Sequence, residues 1–512
     1  MPQTDSLARF FDTGVSRWTP WHQSFEQPVH KLYDTWNADP DRSTLGGYVG
    51  TTKGLQAMIQ RSLDEERSLR ALGGGWSWPP IAATAGTLLN TRPLNYRFNL
   101  RVDQIHGDRK LVFVQCGMSI AELNVYLAAK GLALKTSGAS NGQTIAGALS
   151  TGTHGAAYRV GAVPDYVVAI HLVTEPGRSV WLERDSEPAV VDSVAGHVGA
   201  ELVRNDDLFE AALVSFGSFG IIHGLVLEVD ELYHLNAWRT KITLDQALWD
   251  AIEAADFDGL DLPGSDAGFP LHHFELLVNP YESGQAAGDL EVFASLMYRH
   301  EGACPDGAKR ASQHGRFAQG DGTLELIGKL TDVFPGLTDD LSGLADKLKF
   351  KDSRNVCGPP GDVFRDTTTR GKSASSAMGV PLNRLREALE IGRVAILEEK
   401  APALISVRLV RASRATLAFT HHQPVTAVFE IDGADSARVH HVYRRVQDAV
   451  RSAGIPYTYH WGKIHTLNAD RVRELYGNRI QDWIDARHEL LPTRELRRVF
   501  ANTYTDQLGL SD

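Results

Sequence analysis

The sequence has few cysteines, no excess of positive charge and no long apolar run. Three cysteines occur among 512 residues, Cys116, Cys304 and Cys357, and their wide spacing fits neither a zinc site nor a disulfide framework. We therefore predict a protein of the reducing cytoplasm. The net charge of −11 disfavours nucleic acids and anionic membrane surfaces as partners, since both attract basic proteins.

Membrane-directing and metal-binding patterns are also missing. The N-terminus lacks the apolar segment of a signal peptide, and there is no run of about 18 apolar residues that could span a membrane. Pairs of adjacent histidines at 272–273, 421–422 and 440–441 lack the HExxH spacing that places two ligands on one helical face. We expect neither a membrane span nor a metal site.

The length of the chain and its changing pattern predict at least two domains. A chain of 512 residues with 43% hydrophobic residues exceeds what one core usually holds. Residues 1–44 are aromatic and polar without periodicity and indicate an arm packed on the body. Residues 45–235 mix short helical and strand patterns. Within them, the capping box of Ser119 and Glu122 predicts a helix that is terminated by Gly131.

A different pattern begins near residue 236. Segments up to residue 454 follow the order strand, helix, strand, strand, helix, which suits an antiparallel sheet with helices on one face. A less regular segment, rich in glycine and aspartate, lies within this part at about 300–380. Residues 455–512 return to an aromatic, glycine-bearing and then helical pattern. The chain therefore combines a mixed helix-and-strand part with a second, antiparallel part.

Three segments concentrate glycine with small hydroxyl residues: LGGGWSW at 72–78, a longer stretch from Ser137 to Gly155, and SFGSFGIIHG at 215–224. Glycine lets a backbone approach a ligand closely, and successive backbone N–H groups form concave anion sites. Each segment alone is also compatible with an ordinary turn. Because neither the Rossmann nor the Walker pattern is present, a pyrophosphate bound here needs another architecture.

Five motifs resemble those of the vanillyl-alcohol-oxidase superfamily of flavoproteins, and within it the aldonolactone and alditol oxidases. RALGGGWSW is similar to the first phosphate loop of that family, GQTIAGALSTGTHG to its second flavin loop, and SFGSFGIIHGLVLEV to the motif that flanks the adenine. YHWGKIHTL resembles its H-W-G-K signature, and FANTY its terminal motif. The order of the motifs over residues 45–505 makes the resemblance specific.

The resemblance implies an α+β fold with two domains and FAD as cofactor. It implies a PCMH-type FAD-binding domain formed by residues 45–235 together with the C-terminal segment 455–512, and a substrate cap, residues 236–454, with an antiparallel sheet flanked by helices. The implied FAD contacts in the first loop are Gly73, Gly74, Gly75, Trp76, Ser77 and Trp78. Those in the second are Gly138, Ala139, Gln143, Thr144, Gly147, Ala148, Ser150, Thr151, Gly152, Thr153, His154 and Gly155. Those in the third are Gly217, Gly220, Ile221 and Ile222.

The chain departs from the family at the position of covalent attachment. Many members link FAD to a histidine of the first loop, where this chain has Trp76, and others use a cysteine in the second loop, which is absent here. An indole has no comparable nucleophilic nitrogen, so we predict non-covalent FAD. Trp76 either stacks near the isoalloxazine or packs under the loop.

The expected substrate side also differs. The family strand usually reads E-x-R, whereas this chain has Ser406 and Arg408, and a histidine common on the next strand is replaced by Phe429 or a neighbour. At Ala139 the alditol oxidases carry a serine. Because lost hydrogen-bond partners weaken the binding of a hydroxyl, we expect a larger or less polar alcohol, or a sugar or lactone bound differently, rather than a small polyol.

The chemistry implied by the resemblance is oxidation of a CH–OH group by hydride transfer to flavin N5. Lys463 could stabilise the developing alkoxide, His460 could act as acid or base or as a structural hydrogen-bonder, and Arg408 could orient the substrate. Gly138, at the flavin edge of such oxidases, favours oxygen as acceptor. Dehydrogenase activity with another acceptor, and a binding protein without redox activity, remain the alternatives.

Overall fold

The computed structural model describes residues 8–38, 43–138, 140–265, 268–281, 290–311, 352–364 and 373–511. The strands of the first half are β1 (Arg9–Asp12), β2 (Arg17–Trp18), β3 (Gln27–Pro28), β4 (Lys31–Trp36), β5 (Leu69–Leu72), β6 (Thr87–Asn90), β7 (Arg97–Asn99), β8 (Leu111–Gln115), β9 (Leu132–Ala133), β10 (Val167–Glu175), β11 (Arg178–Glu183), β12 (Glu201–Arg204), β13 (Ile221–Glu228) and β14 (Asp230–Glu231). Those of the second half are β15 (His234–Leu244), β16 (Leu271–Val278), β17 (Leu290–His300), β18 (Lys309–Arg310), β19 (Ser353–Gly358), β20 (Ser373–Pro381), β21 (Ala403–Arg411), β22 (Val425–Ala434) and β23 (Thr458–Tyr459).

The helices connect and cover these strands. In chain order they are α1 (Thr44–Asp64), α2 (Ile120–Ala128), α3 (Ile145–Thr151), α4 (Ser193–His197), α5 (Asp206–Leu213), α6 (Gln246–Ala254), α7 (Pro360–Val363), α8 (Leu385–Glu399), α9 (Ala437–Ser452), α10 (Ala469–Tyr476), α11 (Arg479–Leu490), α12 (Arg494–Val499) and α13 (Thr503–Gln507). Short 3-10 turns lie at Val102–Gln104, Val163–Tyr166 and Leu382–Arg384. Among these helices none is both long and apolar enough to cross a membrane.

Three larger sheets organise the molecule. The first half has a four-stranded sheet of order β1-β4-β6-β5 and a six-stranded sheet of order β12-β11-β10-β13-β8-β7. The second half has a nine-stranded sheet of order β18-β19-β15-β17-β16-β21-β22-β20-β23. Its last strand, β23, belongs to the C-terminal segment. This segment therefore adds a strand to the nine-stranded sheet before it contacts the first half of the chain. The predicted α+β fold is confirmed, while the domain limits stay a prediction.

Local signals explain several of these elements. Ser119 and Glu122 form the predicted capping box at the start of α2, where the Ser119 hydroxyl accepts from the Glu122 N–H. Helix α9 begins after Ser436, whose side chain accepts from Val439 N–H, and its buried residues recur on one face. Strands β15 and β20 were not predicted from the sequence. Most of the irregular segment 300–380 lies outside the described residues.

Two expectations about the fold need correction. The arm predicted at residues 1–44 does not merely pack on the body, because β1 pairs with β4 and β4 pairs with β6 in the four-stranded sheet. The expectation of no disulfide is wrong, since Cys304 and Cys357 are bonded, while Cys116 is free and buried. Spacing in sequence could not reveal this pair, because Cys304 lies in the loop between β17 and β18 and only the folded sheet brings that loop to Cys357 on β19. The cytoplasmic location stays a prediction, without the support that an absence of disulfides would give.

Candidate active site

The three glycine segments meet at one cleft. The first loop follows β5, the second runs into α3, and the third connects α5 to β13. A Cβ built on Gly73 would lie 2.1 Å from the Thr144 hydroxyl oxygen, so the first and second loops touch through a backbone without a side chain. Gly75 has φ +69°, a conformation that other residues rarely adopt. Glycine is therefore required at these two positions by contact and by backbone conformation.

A buried arginine on β5 ties the loops to the C-terminal segment. Arg70 donates to the carbonyls of Gly217 (3.0 Å), Ile81 (2.7 Å) and Phe500 (2.5 Å), and also to that of Phe216. Burial lowers the pKa of Arg70 to about 9, helped by nearby Arg487, and leaves it charged at neutral pH. The first loop, the third loop and the C-terminal segment are thus held by one side chain.

The terminal FANTY motif has a structural explanation at the same place. The amide nitrogen of Asn502 donates to the carbonyls of Ile81 and Ala83, both at 2.9 Å, directly after the first loop. Arg487 on α11 donates to the Ser218 carbonyl at 3.0 Å and so fixes the third loop. Asn502 and Arg487 thus stabilise the backbone around the first and third loops and do not line the cleft themselves.

The cleft is partly open to solvent and carries positive charge. Its empty volume, which includes open solvent, is about 1400 Å³. The charged residues that line it are Arg70, Arg408 and Lys463; no acidic residue is among the described lining residues. Such a lining favours an anionic ligand.

Unpaired polar atoms in the cleft fit FAD. Ser140 Oγ and Gln143 Oε1 are buried, line the cleft and have no hydrogen-bond partner among the described residues. A ligand rich in donors and acceptors would satisfy them, since leaving buried polar groups unpaired is costly. The described residues contain no cluster arranged to hold a metal ion.

Most predicted FAD contacts line this cleft. They are Gly73, Gly74, Gly75, Trp76, Ser77, Trp78, Gly138, Gln143, Thr144, Gly147, Ser150, Thr151, Thr153, His154, Gly217, Gly220 and Ile222. Four predicted contacts do not line it: Ala148, Gly152, Gly155 and Ile221. Ala148 and Ile221 point into apolar cores instead. Ala139 lies outside the described residues.

Trp76 packs against the N-terminal arm and also lines the cleft. It lines the cleft, and its ring also stacks on Trp21 of the N-terminal arm, with ring centroids 5.1 Å apart and an interplanar angle of 8°. Packing inside the loop and contact with a bound ligand are therefore compatible at this position.

A network of four charged side chains adjoins the cleft. The Arg408 guanidinium donates to Glu275 and to Glu430, both at 2.8 Å, and Glu430 also pairs with Lys463. The Ser375 hydroxyl donates to Glu430 at 3.0 Å. Arg408 holds the pKa of Glu275 well below its usual range despite burial, so this carboxylate stays charged. The two cations are thus fixed in place by two buried carboxylates.

Strand register explains how this network assembles and corrects the predicted substrate residues. Glu275 lies opposite Arg408, and Glu430 lies opposite Ser406, in neighbouring strands of the sheet. The carboxylate missing at Ser406 is therefore supplied from the adjacent strand. Ser406 is fully buried and does not line the cleft.

Phe429 does not face the cleft either. A Cβ on Gly392 of α8 would lie 2.3 Å from the Phe429 ring, so this side chain packs between sheet and helix. Successive strand residues alternate in direction, and the neighbour, Glu430, faces the charged network. A comparison of positions along single strands therefore overlooks Glu430, and the expected substrate preference stays a prediction.

The histidines beside the network are buried and neutral. Burial lowers the pKa of His460 to about 3, and its Nδ1 accepts from the Gly462 N–H at 3.0 Å. His154 of the second loop also has a pKa well below its usual value because of burial, and its ring lies 5.5 Å from that of His460. This geometry favours a hydrogen-bonding role for His460 over that of a general base.

Several residues at this site were not predicted from the sequence. Arg70, Cys116, Ser140 and Phe216 line the cleft, as do Trp18 and His22 of the N-terminal arm. Arg70 precedes the first loop and could have been predicted as the first residue of the motif RALGGGWSW. Glu275 and Glu430 could not have been predicted, because acidic residues occur throughout the chain and only strand pairing shows that these two lie at the site.

Two family models match the chain. One, described as an FAD binding domain, matches residues 37–183, and the other, described as D-arabinono-1,4-lactone oxidase, matches residues 294–508. The first includes two of the glycine loops, and the second includes Arg408, Glu430 and Lys463. FAD is accordingly the cofactor of this chain.

Curated relatives agree with these models. The chain is 29% identical to a D-arabinono-1,4-lactone oxidase of Eremothecium gossypii, over 38% of this chain and 34% of that protein. It therefore spans about a third of the length of that relative. It is 24% identical to the L-gulonolactone oxidase of Bos taurus, over 89% and 92% of the two chains. An L-gulono-1,4-lactone dehydrogenase of Mycobacterium tuberculosis is 26% identical, over 88% and 92%.

Solved structures with similar folds include cholesterol oxidases. The enzyme from B. sterolicum superposes with a TM-score of 0.68 at 13% identity, over 99% of this chain and 98% of that one. A solvent-stable cholesterol oxidase gives 0.66 at 14% identity, over 98% of each chain. At such identities the likeness concerns the fold alone.

Proposed function

Because the chain belongs to the vanillyl-alcohol-oxidase superfamily, close to the aldonolactone oxidases, we propose that it oxidises a CH–OH group of a lactone-type sugar with FAD, using oxygen as acceptor. One observation carries this proposal. The Arg408–Glu430–Lys463 network adjoins the same cleft in which the three glycine loops meet. A cofactor site and a polar, cationic substrate site are therefore adjacent.

The residues of the network suit an alcohol substrate. When bound, FAD would supply the hydride acceptor, with oxygen taking up the electrons afterwards. Oxidation of the CH–OH group also releases the hydroxyl proton, which leaves to solvent through the open part of the cleft. Negative charge develops on the substrate oxygen as this proton leaves, and Lys463 stabilises it by charge and hydrogen bonding until the hydride is transferred. Arg408 orients the sugar, and Glu430 fixes the position of both cations. Neutral His460 contributes a hydrogen bond.

FAD is held without a covalent bond in this proposal. The first loop has Trp76 at the position of the usual attachment histidine, with its ring stacked on Trp21, and the second loop contains no cysteine. Acid precipitation of the purified protein should release the yellow flavin into solution. Colour retained in the pellet would contradict non-covalent binding.

The substrate class is tested by anaerobic bleaching of the flavin. We expect L-gulono-1,4-lactone or D-arabinono-1,4-lactone to bleach the bound flavin, with a small polyol and a sterol alcohol as comparisons. Readmitted air should restore the colour and produce one molecule of hydrogen peroxide for each flavin that is reoxidised. Bleaching by the sterol alone would overturn the substrate class. Slow reoxidation together with fast turnover on a dye would favour the dehydrogenase.

A further inference from the structure

Residues 18–24 form a strap across the first glycine loop. The Trp21 N–H donates to the Gly75 carbonyl at 2.8 Å, and the Trp21 indole stacks on Trp76. The Ser24 hydroxyl donates to the Trp78 carbonyl at 2.8 Å. The strap is thus attached to the loop by backbone, ring and hydroxyl contacts. It precedes residue 37, where the match to the FAD-binding model begins.

His22 brings a polar atom from this strap into the cleft. Its ring stacks on Trp78 with centroids 3.8 Å apart, and only 3% of the residue is exposed. Its Nδ1 lies 3.2 Å from the Ser373 hydroxyl at the start of β20. Its Nε2 is buried and has no hydrogen-bond partner among the described residues, although His22 and Trp18 both line the cleft.

The protonation of His22 makes that atom a donor. Burial lowers the pKa of His22 to about 3, with a contribution from the positive charge of Lys463, so the ring is neutral at physiological pH. With the Ser373 hydroxyl assigned as donor to Nδ1, the single ring proton lies on Nε2. A buried N–H without an acceptor is costly, and an acceptor-rich dinucleotide in the cleft removes that cost.

We propose that residues 18–24 are part of the FAD site, with His22 Nε2 donating a hydrogen bond to the bound dinucleotide and Trp21 holding the first loop through Trp76. The strap supplies retention at the loop where this chain has Trp76 instead of an attachment histidine. This inference rests on FAD being the ligand of the cleft but not on the identity of the substrate.

Titration of apo-protein with FAD, followed by flavin fluorescence, tests the strap. His22→Phe keeps a stacked ring and removes the donor, and we expect its FAD Kd to rise about five- to tenfold. Trp21→Ala should raise the Kd by a similar factor and speed FAD release, because a stacked pair is lost. Trp21→Phe retains a stacked ring and should lie close to wild type.

The control is Phe11→Ala, in the same arm but on β1, where the side chain is 54% exposed. It should bind FAD like the wild type. Wild-type affinity in both His22→Phe and Trp21→Ala would overturn the inference, as would an equal loss in Phe11→Ala, which would indicate general destabilisation of the arm. A wild-type protein that binds no FAD would instead overturn the proposed function, so the two failures are distinguishable.

Discussion

The glycine loops and the charged network adjoin one cleft, yet they are built in different ways. Each loop is a continuous glycine-rich segment that lines the cleft, and the first two approach each other closely at Gly73 and Thr144. The network takes one side chain each from β16, β21, β22 and the C-terminal segment, and strand register brings them together. The residues of each loop are neighbours in the sequence, so a local pattern can reveal the loop. The residues of the charged network are far apart in the sequence, so the network depends on how the strands of the whole sheet pair.

The largest effect is expected from the network. Lys463→Met removes the cation that stabilises the developing alkoxide, and flavin reduction should slow by about 10²-fold or more, the scale of losing one preorganised donor. Stopped-flow absorbance under anaerobic conditions measures this rate at saturating lactone. FAD affinity should stay near the wild-type value. A normal reduction rate with FAD bound would remove Lys463 from the chemistry.

The loops should respond in the opposite way. Gly73→Ala places a methyl group 2.1 Å from the Thr144 hydroxyl, so the first two loops must separate. We expect FAD affinity to fall about 10- to 100-fold, as for overpacking of a tight contact, while reduction of the flavin that remains bound stays close to normal. Fluorescence titration of the apo-protein measures the affinity.

Gly196→Ala is the matched control for the loop variant, because a Cβ on Gly196 would meet nothing within 4 Å. It should bind FAD like the wild type. If Gly73→Ala binds FAD as tightly as this control, the close approach of the loops has no role in cofactor binding.

The same contrast sets how much of the molecule could be predicted. The three loops, helix α2 with its capping box, and the strands around Arg408 were predictable because each depends on neighbouring residues. Glu430 was not, since its role follows from lying opposite Ser406 in the adjacent strand. The Cys304–Cys357 bond and the entry of the N-terminal arm into the four-stranded sheet were missed for the same reason.

A carboxylate swap tests the register argument directly. Glu430→Ser should raise KM for the lactone and lower kcat, together by about tenfold in kcat/KM, because Arg408 and Lys463 lose their shared partner. Adding Ser406→Glu returns a carboxylate from the facing position and should recover part of this loss. The double-mutant cycle therefore gives a favourable coupling between the two sites.

Two outcomes would contradict the swap argument. Additive losses in the double variant would mean that position 406 cannot replace Glu430. An unchanged kcat/KM in Glu430→Ser alone would mean that the carboxylate orients nothing used in the reaction. Urea unfolding of each variant separates these kinetic effects from a loss of stability, which buried ion pairs also influence.

The smallest effect is expected at Gly138, a residue of the second loop that we expect to influence whether oxygen acts as the electron acceptor. Its φ is outside the left-handed region, so the backbone conformation alone does not require glycine here. A Cβ here would lie 3.2 Å from Thr153 Cγ2, a tight contact that the neighbour can relieve by a small shift. Gly138→Ala should therefore leave FAD affinity and anaerobic reduction near normal.

If Gly138 keeps an oxygen path open, reoxidation by oxygen should slow by roughly threefold or more. A threefold slowing corresponds to an increase in activation free energy of about 0.65 kcal/mol, which is within the range of effects of one added methyl group. The double variant Gly138→Ala with Thr153→Ser removes the crowded methyl of Thr153 while keeping the added one at position 138. Slow reoxidation that persists in the double variant supports the oxygen path, recovery assigns the effect to a displaced Thr153, and wild-type reoxidation in both means that this position does not control oxygen.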